Sequence, residues 1–294
     1  MKVPVDHRRQ AMEALQQGKL DEAIASLEKA VLETPGDPEL YRAAGRFLRA
    51  AGRADEAAAW YQRCLSKFPG DAIATMGLVA LGRAPAPPRL PDEVVLYVFD
   101  RNAGTYESNM RSLGYSVPEV LRDLLRADGG TEARALDVLD LGCGSGWCGP
   151  LLRPFARRLA GVDLSARMLE LASEKRVYDE LVQAEILEFL GRAAGVTDVV
   201  FAANVLMYFG DLDELAAALA RNLRRGGRFV FDVEKGEGMT PGFHVSGRFT
   251  HSLAFLEKAL QPHGFSLTQV HEAVMRVELG KPVAGLHVVA RLPD

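Results

Sequence analysis

The spacing of apolar positions changes once along this chain, and that change divides it. From residue 135 onward, short apolar runs alternate with stretches of helical spacing. The run Leu136, Val138, Leu139 and Leu141 predicts a buried parallel strand, with the next helix over residues 147–158. Further strands are expected at 159–163, 181–184, 196–203 and 228–232, with helices over 165–175 and 211–223 between them. The helix at 165–175 opens on a serine N-cap and shows apolar Met168, Leu169 and Ala172. A glycine-rich loop at 235–247 leads to a helix over 250–263, and strands at 265–271 and 282–291 close the pattern with an antiparallel edge. Such an alternation predicts an α/β unit built on a mostly parallel sheet.

The first 82 residues follow a different rule. Gly18, Ala23, Ala30 and Pro35 recur as Gly52, Ala57, Cys64 and Pro69, each 34 positions later. Asp21-Glu22-Ala23 returns as Asp55-Glu56-Ala57, and Pro35-Gly36-Asp37 as Pro69-Gly70-Asp71. This period resembles the tetratricopeptide (TPR) repeat, a pair of antiparallel helices. Small residues fall where the helices cross, Gly52 ends a first helix, and proline ends the second. Leu27, Tyr41, Leu48 and Tyr61 fill the space between, and residues 72–82 form a third helix that caps the stack. The division expected is an all-α TPR domain at 1–82, a proline-rich linker at 83–91, lid helices at 92–134 and the α/β domain at 135–294. The linker reads as an extended, semi-rigid spacer. Two repeats and a cap bury little surface, so they are expected to pack on the rest of the chain, near 92–118, or across a dimer.

Chemistry concentrates where the first strand ends. Asp140-Leu-Gly142-Cys-Gly144-Ser-Gly146 places bare backbone N–H groups and a helix N-terminus at a strand's carboxyl end, where open α/β sheets bind ligands. The second strand ends in Asp163, whose carboxylate can take both hydroxyls of a ribose. Gly144-Ser-Gly146-Trp-Cys-Gly149 also satisfies the dinucleotide pattern G-x-G-x-x-G. Registration decides against it, because the first glycine after the strand is Gly142. The turn and Gly161-Val-Asp163-Leu-Ser165 resemble the first and second motifs of class I S-adenosylmethionine-dependent methyltransferases.

As a whole, residues 8–291 resemble a bacterial family of predicted TPR-containing methyltransferases. The resemblance rests on Phe99-Asp100, Leu113-Gly-Tyr115, the glycine turn at 139–146, Gly161–Ser165 and Gly247-Arg-Phe-Thr-His251. It implies a seven-stranded Rossmann-like methyltransferase sheet with an antiparallel edge strand, and S-adenosyl-L-methionine as cofactor with S-adenosyl-L-homocysteine as product. The implied cofactor set is Asp140, Gly142, Cys143, Gly144, Gly146, Asp163, Leu164, Met168, Glu185, Ile186 and Asn204, with Tyr106 and Tyr115 from the lid. Tyr97 and Phe99 are further lid candidates, although core packing accounts equally for any one of these aromatics. Glu185 stands where many relatives carry an aspartate near the adenine amino group, and Asn204 where relatives often have aspartate.

Methyl transfer needs a nucleophile held in line at about 3 Å and water excluded, with a base only for a protonated acceptor. Loops after the fourth and fifth strands face the methyl group. Tyr208, Arg248 and His251 are therefore the catalytic candidates, the arginine as an anion clamp and the histidine as base or orienter. A loop packed by its own polar groups explains Arg248 and His251 equally well.

Composition narrows the rest. At 48% hydrophobic and 25% charged residues, with net charge −4 and no long basic run, the chain reads as a globular protein without a nucleic-acid partner. Cys64, Cys143 and Cys148 lack metal spacing, and no acidic cluster suggests magnesium, so no metal is expected. No apolar run approaches membrane-spanning length and the first ten residues lack a signal-peptide core, which places the protein in the cytoplasm. The expected reaction methylates an O or N nucleophile of a small-molecule, carrier-protein-bound or peptide acceptor. The repeats are a candidate surface for a protein partner, and the oligomeric state stays open, a homodimer included. The competing class is a TPR scaffold whose transferase domain only senses S-adenosylmethionine.

Overall fold

The structure, a computed structural model, describes residues 6–131, 133–192, 196–278 and 280–294. They form two compact units, the first comprising the chain up to Ala86 together with Val245–Gly247, the second Pro87–His244 and Arg248–Asp294.

In the first unit, α1 (His7–Gln16) pairs with α2 (Leu20–Glu33), and α3 (Pro38–Ala50) with α4 (Ala54–Lys67); α5 (Ala72–Ala80) lies last. Gly52 follows α3 with φ of +76°, the left-handed conformation that stops a helix at little cost to glycine. Asp71 caps α5 through the Ala74 N–H and accepts from Arg42 Nε at 2.8 Å, tying α5 to α3. Leu27, Tyr41, Leu48 and Tyr61 are all buried in one apolar cluster, as the period implies. Packing around Tyr61 is tight on two sides. A Cβ on Gly45 of α3 would sit 2.6 Å from its ring, and one on Gly77 of α5 would sit 2.4 Å away.

The second unit opens with α6 (Asp92–Asn102), α7 (Tyr106–Ser112) and α8 (Val117–Ala127). Its sheet holds β1 (Leu136–Leu141), β2 (Ala156–Asp163), β3 (Glu180–Gln183), β4 (Thr197–Ala202), β5 (Leu223–Glu234), β8 (Ser266–Glu278) and β9 (Lys281–Arg291). The order is β3-β2-β1-β4-β5-β9-β8, with β1 to β5 parallel and β9 antiparallel to both of its neighbours. Helices α9 (Gly149–Leu152), α10 (Ala166–Glu174), α11 (Ile186–Leu190), α12 (Asp213–Asn222) and α13 (Leu253–Leu260) complete the unit, with a small hairpin of β6 (Gly242–Phe243) and β7 (Phe249–Thr250). One apolar cluster lies under α11, α12 and α13, another under α8 and α9, so the sheet is covered on both faces.

Two departures from the sequence expectation bear on the site. The helix expected over 147–158 shrinks to α9, because Pro154 cannot continue it, and residues 156–158 join β2 beside β1. The proline-rich stretch read as a spacer ends as a strap on the sheet's loop. The Pro88 carbonyl accepts from the Gly210 and Asp211 N–H groups at 2.8 and 2.7 Å, and the Leu90 N–H donates to the Tyr208 carbonyl at 2.8 Å. Among the described residues, no helix is long and apolar enough to cross a membrane.

The Tyr61 contacts yield a local prediction. Gly77→Ala should destabilise α3–α5 by about 1–3 kcal/mol through overpacking, since the buried ring has nowhere to move. Hydrogen exchange on the full-length protein should show faster exchange across residues 38–80 and unchanged protection in the sheet.

Candidate functional site

Strand order reverses at β1, whose neighbours β2 and β4 run to opposite sides, and a cavity opens at the carboxyl ends of these strands. The turn after β1 lines it through Gly142, Cys143, Gly144 and Ser145. Gly142 has φ of +69°, and a Cβ there would meet Val205 at 2.6 Å, so packing as well as conformation demands glycine. Gly144 differs: its φ is +53°, and a Cβ would meet nothing within 4 Å, so its bare backbone faces open space in the cavity wall.

Asp163 ends β2 and clamps this turn. Its Oδ2 accepts from the Gly144 N–H and its Oδ1 from the Ser165 N–H, both at 2.8 Å. The Leu164 N–H also acts on this carboxylate, which has about four acceptor positions and so keeps room for a ligand. Burial raises the carboxyl pKa against the pull of these N–H groups. Ser165 caps α10 and donates to Asp100 of α6 at 2.5 Å, while Ser145 donates to Glu107 of α7 at 2.8 Å. Lys175 pairs with the same Glu107 oxygen at 2.7 Å. Helices α6 and α7 are thus held to the turn and to α10 by charge-assisted hydrogen bonds.

Around the rim, Glu185 caps α11 through the Glu188 N–H at 2.9 Å and accepts from Arg89 of the strap at 2.8 Å. Leu164 and Ile186 lie beside it in the cavity wall. The opposite wall is aromatic. Phe99 packs on Tyr106 and Tyr208 with centroids 5.8 and 5.7 Å apart, and Tyr115 meets Trp147 edge-on at 5.6 Å. Burial pushes the Tyr208 hydroxyl up to about 12, so it keeps its proton at neutral pH. Asn204 Nδ2 donates to the Tyr106 hydroxyl at 3.4 Å.

Twelve of the residues named from sequence therefore line one cavity: Gly142, Cys143, Gly144, Asp163, Leu164, Glu185, Ile186, Asn204, Tyr106, Tyr115, Tyr208 and the lid candidate Phe99. Asp140, Gly146, Met168, Arg248 and His251 do not. Asp140 points to the other face of β1 and accepts from the Tyr178 hydroxyl at 2.6 Å. Gly146 packs against Ala172 of α10, and Met168 is fully buried. Arg248 turns away to Glu234 at 2.5 Å and Glu278 at 2.6 Å, which also hold Arg276. His251 is fully buried; its Nε2 donates to the Phe209 carbonyl at 2.8 Å, and its ring stacks on Phe255. Burial lowers its pKa to about 4. The acceptor roles expected for Arg248 and His251 are corrected by this placement, since the chain pairing at β7 turns both side chains inward. Sequence reasoning missed Arg89, Leu90 and Trp147, because a proline-rich stretch and a helix start carry no signal that they will meet a turn far along the chain.

Asp140 carries a pH prediction. Burial raises its carboxyl to about 7 despite the Tyr178 hydroxyl. A pKa raised above the unfolded value of about 4 means stability is lost as pH climbs from there to about 7. Asp140→Asn keeps an acceptor for Tyr178 but does not titrate. Its melting temperature relative to wild type should therefore be higher at pH 8 than at pH 5, and a pH-independent difference in calorimetric melts would contradict the assignment.

Comparison with known proteins agrees with this geometry. A methyltransferase-domain model matches residues 139–231, and a tetratricopeptide-repeat model matches residues 8–72. An 18S rRNA (guanine-N(7))-methyltransferase of Arabidopsis thaliana is 32% identical over 107 residues, covering 33% of this chain and 37% of that protein. A malonyl-[acyl-carrier protein] O-methyltransferase of Pectobacterium atrosepticum is 28% identical over 193 residues, covering 62% of this chain and 73% of the relative. The chain thus spans little more than a third of the first relative and about three quarters of the second. Among solved structures, the Burkholderia thailandensis 1,6-didemethyltoxoflavin-N1-methyltransferase, with S-adenosylhomocysteine bound, superposes with a TM-score of 0.55 at 19% identity, over 72% of this chain and 94% of that one. With this sheet order, this glycine turn and these two matches, the chain carries a methyltransferase domain over residues 139–231, preceded by tetratricopeptide repeats over residues 8–72.

Proposed function

We propose that the protein transfers the methyl group of S-adenosylmethionine to an oxygen or nitrogen nucleophile of a small-molecule, carrier-bound or peptide acceptor. The observation that carries this reading is Asp163, a carboxylate bonded to the glycine turn with acceptor positions left over at the cavity wall. The residues fit the cofactor. Asp163 suits the two ribose hydroxyls, the open wall at Gly144 admits close approach, and Leu164, Ile186 and Glu185 suit an adenine with its exocyclic amine. When bound, S-adenosylmethionine supplies an electrophilic methyl group.

The remaining work falls to the chain. Phe99, Tyr106, Tyr115, Trp147 and Tyr208 make the wall that excludes water from the acceptor side. The tyrosine hydroxyls orient the acceptor by hydrogen bonds and stay neutral, because burial raises their pKa values. His251 is held inside the fold with its Nε2 on the Phe209 carbonyl, so it acts as a brace under Phe209 rather than as a base. An acceptor that is already anionic, such as a carboxylate, needs no base and suits this wall. By their names, one relative acts on a carrier-bound malonyl group, which falls within this acceptor range, and another on rRNA guanine, which does not.

Two substitutions separate cofactor from acceptor. Asp163→Ala should cost about 2–3 kcal/mol of S-adenosylhomocysteine affinity, roughly thirtyfold to over a hundredfold, by calorimetry. Unchanged affinity would sink the assignment. Tyr208→Phe should lower turnover about tenfold while S-adenosylhomocysteine binding stays within about twofold. A parallel loss of binding would move Tyr208 to the cofactor side. The assay is tritium-methyl transfer from labelled S-adenosylmethionine into a proteome and small-molecule extract.

A further inference from the structure

Asn204 follows β4 with φ of +62°, a left-handed conformation that asparagine tolerates but that still requires holding. What holds it is Asp232 of β5, whose Oδ1 accepts the Asn204 backbone N–H at 2.6 Å. The Asn204 side chain lines the cavity, with Nδ2 on Tyr106 and a buried Oδ1 that has no protein partner. Asp232 is itself fully buried, and its Oδ2 is also unpartnered. A carboxylate placed there for stability alone would be a poor choice, because one backbone hydrogen bond does not offset the loss of its hydration.

We propose that Asp232 is a positioning residue: by holding the Asn204 backbone N–H it fixes the left-handed turn after β4, so that Asn204 Oδ1 accepts from the ammonium at the amino-acid end of bound S-adenosylmethionine. This rests on the cofactor reading above and adds to it a residue that does not line the cavity. An unpartnered, buried acceptor oxygen in the wall calls for a donor on the ligand, and an ammonium is the strongest donor the cofactor offers.

The arrangement has a pH signature. Burial pushes the Asp232 carboxyl up to about 7, against the Asn204 N–H and the Arg276 charge, and Glu234 pushes the same way as burial. The groups that face it are Glu234 on its own strand, Arg276 on β8, His287 in register on β9, Tyr106 and Tyr115 from the lid, and Cys148 from the glycine turn. Burial raises Tyr106, Tyr115 and Cys148 and lowers His287, so these four are neutral near pH 7. Arg276 stays charged. As pH falls through about 7, Asp232 gains a proton, its bond to the Asn204 N–H loses charge assistance, and the turn is held less firmly.

Calorimetry of S-adenosylhomocysteine binding to the full-length protein, between about pH 6 and pH 8, tests this without an acceptor. Wild type should bind about fivefold more tightly at the upper pH. Asp232→Asn, close in shape and without a titrating proton, should bind at the weaker level throughout. Asn204→Gly adopts the turn without being held, so adding Asp232→Asn to it should change nothing further. Wild-type affinity in Asp232→Asn at each pH, or an equal loss from Asp232→Asn in the Asn204→Gly background, would overturn the proposal. A wild-type protein that binds no S-adenosylhomocysteine at any pH would instead overturn the cofactor reading beneath it.

Discussion

The two hydrogen bonds to Asp163 are the constraint on which the rest of the site depends. One goes to Gly144 in the turn after β1, the other to Ser165 at the head of α10. Together they set the ends of two neighbouring strands relative to one another and shape the bare backbone wall between them. Helices α6 and α7 take their position from the same place, because Ser165 holds Asp100 and Ser145 holds Glu107. A carboxylate fixed in this way is pre-organised, so the cofactor binding proposed for Asp163 would leave little ordering for the ligand to drive.

Ionisable groups near the strand ends are treated in two ways. Arg248, Arg276, Glu234 and Glu278 form a closed set of two positive and two negative charges bonded to one another. Removing any one member would leave a buried charge uncompensated. Asp140 and Asp232 instead have one hydrogen bond each outside that set, and burial raises both carboxyls to about 7. The first arrangement pairs each charge with an opposite one. The second changes charge near neutrality, one residue behind the glycine turn and one behind the turn after β4.

Packing decides details that conformation alone leaves open. Gly142 is closed in by Val205, whereas Gly144 faces the open cavity, though both have positive φ and belong to one motif. In the repeats, Gly45 and Gly77 serve as flat surfaces for the Tyr61 ring rather than as turns. The same residue type thus marks a helix stop, a ring contact and a ligand wall in one chain.

The sequence by itself determined the element pattern, the repeat, the glycine turn and Asp163. These rest on local physics: a period of apolar positions, a backbone conformation that only glycine adopts cheaply, and an acid at a strand end. The α/β alternation also placed the glycine turn at the carboxyl end of a parallel strand, where the cavity opens. Tertiary structure alone decided which polar residues near that edge face the cavity. Asp140 lies one residue from the turn, yet the alternation of side chains along β1 sends it to Tyr178. Arg248 and His251 sit in a loop of the right address, yet pairing at β7 turns them inward to Glu234, Glu278 and Phe209. Arg89 reaches Glu185 across 96 residues, and Asp232 reaches Asn204 across 28. Contacts between segments so far apart depend on how sheet, strap and lid close over one another, and no local pattern in the chain records that closure.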